Sequence, residues 1–188
     1  MSPTNPIQEP AIRDYDRSLD VLEQAIRSVR PERWDDPSAM PTWTARQVAG
    51  HAMTMIRNIV ALAGDGPDPD FHARVDLAAA AGPDPYVTWT ATRHLVESEL
   101  LTRPRRLAAV RMTPLGAEMP IVELLGFQGL DPLLHGWDIA TATGGTVDIP
   151  ADLATAYLRR LEPLAEWPGA GLGTGDDPVR RLLTLCGR

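Results

Sequence analysis

His51, Asp131 and His135 are the residues of this chain whose types and spacing could do chemistry. Two imidazoles and one carboxylate bind a divalent ion and leave it open coordination positions for a substrate. Asp131 and His135 are four residues apart, one helical turn, so both side chains can reach a single ion. They lie on a stripe, Leu124, Gln128, Asp131, His135, Asp138 and Ala142, that recurs in steps of three and four and so shares one helix face. An inward face should be apolar, yet this one carries Gln, Asp, His and Asp in its middle. Buried ionisable groups are paired or bound to a metal. Asp138, one turn beyond His135, is a candidate catalytic base or a partner that orients the histidine. A plainer reading uses the same residues: His51 as a satisfied core histidine, and Asp131 with His135 as a helix-surface hydrogen bond.

The elements that must position these residues read as helices. Pro120 to Gly144 is expected as one long helix, opened by a proline, closed by Gly144-Gly145 and kinked by Pro132 near Gly129 to Asp131. His51 sits on a second helix, which Thr44 and Gln47 open as a capping box and Gly64 stops. That helix has an expected inward stripe of Val48, His51, Met55, Ile59 or Asn58, and Leu62. Ala11 to Val29 is amphipathic through Ile12, Tyr15, Leu19, Leu22 and Ile26. A long crossover, residues 64–86, contains one short apolar piece, Val75 to Ala81, and leads to a helix from Tyr86 to Leu101 with Val87, Ala91, His94 or Leu95, and Ser98 facing in. Leu107 to Met112 and the turn at Thr113 to Gly116 suggest a small hairpin. A helix from Ala151 to Trp167, interrupted by Pro163, then a PGAGLGTG loop and a short helix from Val179 to Leu185 capped by Asp176-Asp177-Pro178 complete the chain. The expected fold is all-α: a four-helix bundle with a long crossover between its second and third helices and a short C-terminal helical extension. Residues 1–10 are expected as an arm and 11–188 as a single domain, with 151–188 its C-terminal helices.

Composition narrows the chemistry. The 188 residues carry a net charge of -7, which argues against a nucleic-acid partner. No apolar run approaches the roughly 20 residues that span a bilayer, and no signal pattern opens the chain, so a cytoplasmic protein is expected. All 18 basic residues are arginine. Without lysine there is no Schiff-base chemistry and no Walker-type phosphate loop. The single Cys186 excludes a disulfide framework and is expected to pack the last helix. Arg57 and Arg93 are candidates for binding the carboxylate of a substrate or cofactor. Trp43, Met53, Met55 and Trp137 read as core or pocket wall.

The segments PTWTARQVAGH (Pro41 to His51) and DPLLHGWDIATATG (Asp131 to Gly144) resemble the two signature stretches of the DinB/YfiT-like metalloprotein superfamily. More narrowly they are similar to the metal-binding domain of mycothiol-dependent maleylpyruvate isomerases, and the closing DDPVRRLLTLCGR fits actinobacterial members. The likeness covers nearly the whole chain. It implies a four-helix bundle holding one divalent metal, zinc or nickel, through His51, Asp131 and His135. Asp131 stands where the isomerase has glutamate, a longer arm, and Pro132 could supply the shift by bending the helix. The isomerase's larger C-terminal region is not expected here, so its exact activity is not carried over. The implied function is thiol chemistry on a small electrophilic substrate, S-transfer or isomerisation, with a metal-stabilised thiolate from mycothiol or another low-molecular-weight thiol as nucleophile. Thiol-independent metal-assisted hydrolysis, with Asp138 as base, and a non-enzymatic metal- or ligand-binding bundle are the alternatives. A homodimer is compatible with each.

Overall fold

The computed structural model describes residues 8–161 and 177–188. Its elements are α1 (Gln8–Ser28), α2 (Ala45–Ala63), α3 (Leu77–Ala81), α4 (Pro85–Val96), which continues as a π turn over Glu97–Leu101, α5 (Pro104–Leu107), β1 (Val110–Met112), β2 (Glu118–Pro120), α6 (Ile121–Gln128), α7 (Leu130–Ala142), α8 (Ala151–Leu161) and α9 (Pro178–Leu185). Among the described residues the fold is all-α apart from one antiparallel hairpin, in which Val110 pairs with Pro120 and Met112 with Glu118. Most of the expected arm, the Pro163 interruption, the PGAGLGTG loop and Asp176 lie outside the described residues.

Helices α1, α2, α4 and the α6–α7 pair share one core. On α1, Tyr15, Leu19, Leu22 and Ile26 are fully buried at helical spacing, so the amphipathic pattern becomes the packed face. Thr44 accepts from the Gln47 backbone N–H while the Gln47 side chain accepts from the Thr44 N–H, which fixes where α2 begins. Met55, expected inward, is only half-buried, whereas Met53 and Ile56 are buried. The apolar piece of the crossover is α3, capped by Asp76 and laid so closely on α2 that a Cβ at Gly50 would meet the Leu77 carbonyl.

The inward face of α4 differs from the expected one. Val87, Ala91 and His94 are exposed, Leu95 packs partly buried on the core, and Trp89, Thr92, Val96 and Leu100 are buried. Trp89 presents the largest apolar area on this helix, so its burial sets the rotation, and its indole N–H donates to Glu23 on α1 at 3.2 Å.

The single long helix expected over Pro120 to Gly144 is two. Its break falls at Gly129, within the expected kink, for two local reasons. Pro132 has no N–H to give the Gln128 carbonyl. Gly129 is also where Tyr157 Oη and the Tyr15 backbone come closest, with Tyr15 Cα 3.2 Å from where a Cβ would stand. Beyond the break, α7 buries one face against α1 and α2 and another, through Leu133 and Leu134, in a second apolar cluster with Leu153, Tyr157 and Leu182 of α8 and α9. Arg17 with Asp152 (2.7 and 2.8 Å), Arg160 with Asp14 (2.6 Å) and Ser18 with Tyr157 (2.9 Å) tie α8 to α1. None of the described helices is long and apolar enough to cross a membrane.

Candidate metal centre

α2 and α7 deliver three side chains to one point. His51, Asp131 and His135 each offer a ligand atom, and these atoms lie within 4.8 Å of one another. Asp131 Oδ1 stands 3.3 Å from His135 Nε2 and 4.0 Å from His51 Nε2. Ligands about 2.1 Å from a tetrahedral ion are roughly 3.4 Å apart, so the observed spacing suits a divalent ion after small side-chain adjustments. Asp131, in the first turn of α7 just after the break, reaches this spacing from both histidines with its shorter arm. Its side chain keeps 29 % of its surface, and Oδ2 is the buried part of it.

Behind His135 is a second layer. Asp138 is completely buried, and its Oδ2 lies 3.1 Å from His135 Nδ1. That contact directs Nδ1 toward Asp138 and leaves Nε2 to face the cluster. Arg188 then grips Asp138 with two donors, Nε to Oδ1 at 3.0 Å and Nη2 to Oδ2 at 2.7 Å. Both oxygens of Asp138 are therefore engaged.

In front, the loop before α2 supplies a wall. Thr42 adopts φ 72°, a left-handed conformation that costs free energy in a non-glycine residue. Hydrogen bonds from the Ser38 N–H to the Trp43 carbonyl (2.9 Å) and from the Trp43 N–H to the Met40 carbonyl (3.2 Å) hold this turn. It places the Trp43 ring 5.0 Å from the His51 ring, which is itself 5.1 Å from that of His135. The same turn meets the rear layer, since Arg188 Nη2 lies 3.2 Å from Met40 Sδ.

The electrostatics divide the two histidines. Burial pulls His51 below its ordinary value, the nearby Asp131 only partly opposing it, so its imidazole is neutral near pH 7. Burial also disfavours the charge on His135, but its hydrogen bonds to Asp131 and Asp138 outweigh it and raise the group to about 9. For both aspartates burial pushes the pKa up, and the hydrogen bond from His135 helps to bring it below the ordinary carboxylate value, joined at Asp138 by that from Arg188. Cys186 is half-buried, and burial pushes its thiol up, away from the thiolate.

The two candidate arginines are not part of this cluster. Arg93 is held by Asp16 (2.7 Å), Asp20 (3.1 Å) and Glu97 (3.2 Å). Arg57 follows His51 by six residues on α2, which at about 100° per residue turns it roughly 240° from the histidine face; it donates to the Thr88 carbonyl at 3.5 Å. Arg188 is the site neighbour that sequence reasoning missed, since no spacing signal links it to Asp138.

Comparison with known proteins places this geometry. Residues 15–140, which contain the three converging side chains, match the mycothiol maleylpyruvate isomerase N-terminal domain family. The chain belongs to that family. The uncharacterized protein Rv0738 of Mycobacterium tuberculosis strain H37Rv is 25 % identical over 184 residues, 93 % of this chain and 95 % of its own length. Rv0036c of the same strain is 29 % identical over 154 residues, 72 % of this chain and 57 % of its own length. Among solved structures, a mycothiol-dependent maleylpyruvate isomerase is similar in fold with a TM-score of 0.63 at 16 % identity, over 89 % of this chain and 73 % of that one. A mutant of that isomerase gives 0.60 at 17 % identity. These likenesses establish an all-α, DinB-like fold for this member of the family.

Proposed function

We propose that the protein is a metal-assisted, thiol-dependent isomerase acting on a small electrophilic unsaturated acid, with mycothiol or a similar low-molecular-weight thiol as its co-reactant. The observation that carries this reading is the convergence of His51, Asp131 and His135, two nitrogens and one oxygen at ligand spacing with surface still open. Family membership supplies the thiol. The state of Cys186, half-buried and biased toward the neutral thiol, agrees with a thiol brought in from outside.

A divalent zinc or nickel ion held there supplies positive charge that favours the thiolate form of a bound thiol at neutral pH. The residues of the chain do the rest. His51 offers a neutral imidazole, Asp131 a carboxylate, and His135 an Nε2 that must lose its proton before it can ligate. Asp138 fixes the ring of His135 through Nδ1, and Arg188 neutralises Asp138 in its buried position. Asp138 is thus an orienting residue, not a base, because neither of its oxygens is free to take a substrate proton. Trp43 walls the site beside His51.

The thiolate adds to one carbon of a C=C bond conjugated to a carbonyl. The double bond becomes single, rotation follows, and expulsion of the thiolate restores the alkene in the other geometry. Thiol is regenerated, so atoms and electrons balance. Transfer results instead if the sulfur stays on carbon.

The test is turnover of maleylpyruvate with mycothiol and with the thiol omitted, in wild type and in His51→Ala. Thiol-dependent isomerisation lost in the variant is expected. Turnover that ignores the thiol, or survives in the variant, would overturn the proposal.

A further inference from the structure

Four of the 18 arginines, Arg103, Arg105, Arg106 and Arg111, line one cavity of about 690 Å³, with Asp65 as the acid described in its wall. That concentration is unexpected in a protein of net charge -7. Elsewhere arginines are matched by acids: Arg93 by Asp16, Asp20 and Glu97, Arg17 by Asp152, and Arg160 by Asp14. The cavity lies at the C-terminal end of α2, between it, the segment after the π turn of α4, and β1. His51 is near the other end of α2, roughly 18 Å from Ala63 at 1.5 Å per residue. The cavity is therefore separate from the candidate metal centre.

Three of the four guanidiniums are fixed by carbonyls at helix ends, where the last carbonyls lack intrahelical donors. Arg111 gives Nε to the Leu62 carbonyl and Nη2 to the Gly64 carbonyl, both at 3.1 Å. Arg106 gives Nη1 to the carbonyl and the carboxylate of Glu99, both at 2.8 Å, and Arg103 gives Nε to the Ser98 carbonyl at 2.9 Å. Capping does not use up the donors. Nε and Nη2 of Arg106 and the whole fork of exposed Arg105 have no partner among the described residues. Groups already anchored in this way lose little freedom when a ligand arrives. Asp65 and Glu99 offset part of the charge and each helix C-terminus about half a unit more, which leaves an excess of positive charge. The rest of the wall is Ala63, Thr102, Pro104 and Ala109, without an aromatic ring on which a base could stack. The volume is that of a small-ligand site. We propose that this cavity binds a small multivalent oxyanion bearing phosphate or carboxylate groups, gripped by the forks of Arg105 and Arg106, with Arg103 and Arg111 adding charge beside them. The proposal stands independently of the metal site.

The experiment is titration of the isotope-labelled protein with inorganic pyrophosphate and, separately, with tricarballylate at about 0.15 M salt, followed by backbone amide shifts. Saturable shifts over residues 63–65 and 102–111 are expected with at least one probe, and the tighter probe names the head group as phosphate or carboxylate. Arg106→Gln should weaken binding about tenfold and exposed Arg105→Gln about two- to fivefold, whereas Asp65→Asn should tighten it. Arg159→Gln on α8 removes the same charge elsewhere and should leave the affinity unaltered. The side chains of Arg105 and Asp65 are exposed, so those two variants should fold even if Arg106→Gln frays the end of α4. Absence of a saturable shift with either probe would overturn the proposal, as would shifts confined to the surroundings of His51 and His135. Equal losses in Arg105→Gln and Arg159→Gln would overturn it too, being the mark of an adventitious ion only.

Discussion

Arg188 and Asp138, fifty residues apart, form a two-pronged ion pair at 2.7 and 3.0 Å behind His135. The carboxylate has no exposure and the guanidinium side chain keeps 15 %. A bidentate pair fixes orientation as well as charge. It joins the segment that follows α9 to the candidate metal centre through Asp138 and His135.

Arg188→Ala should therefore cost stability on the order of 3 kcal/mol, because it strands a buried carboxylate. It should also weaken metal binding about tenfold by freeing the His135 ring. Arg188→Lys keeps the charge and loses the fork, so it should fall between the two. Chemical denaturation and metal titration of the three proteins check this. Equal metal affinity in all three would separate Arg188 from the site.

The stability of the metal-free protein should show the cluster's titration. His135 is raised from 6.5 to about 9, so the stability it contributes is complete below pH 6.5 and fades as pH rises through 9. Asp131 is lowered from 3.8, so its contribution is complete above that value and fades as pH falls through its lower folded value. These two groups support folding most between about pH 4 and 6.5, while His51, held below its ordinary value by burial, takes stability away as pH falls below 6.5. His135→Gln should flatten the alkaline limb of a melting-temperature profile, and an unchanged limb would assign that loss to other groups.

Gly129→Ala should lower stability by about 1–3 kcal/mol, because the added methyl meets Tyr157 Oη and the Tyr15 backbone. Since Asp131 lies two residues on, metal affinity should fall too. Gly66→Ala, where a Cβ meets no atom, is the control that should leave metal affinity unaltered.

Local signals in the sequence were the legible ones. The capping box at Thr44 and Gln47 depends on four consecutive residues and forms as read. The convergence of His51, Asp131 and His135 was legible because two share one helix turn and the third interrupts an apolar stripe. The rotation of α4 was not, since helical spacing allowed two phases and the burial of Trp89 chose the one that turns His94 outward. The break at Gly129 was anticipated as a kink from Pro132, but the part played by Tyr157 depends on a helix later in the chain. The Arg188 contact depends on how α9 docks, which no local pattern encodes.

The most direct test of the account is the metal content of protein purified without a histidine tag, in wild type, Asp131→Ala and His135→Ala. About one divalent ion per chain in wild type, lost in both variants while each stays folded by circular dichroism, is the predicted result. No bound ion in wild type after reloading with zinc and nickel, or full retention in both variants, would contradict it.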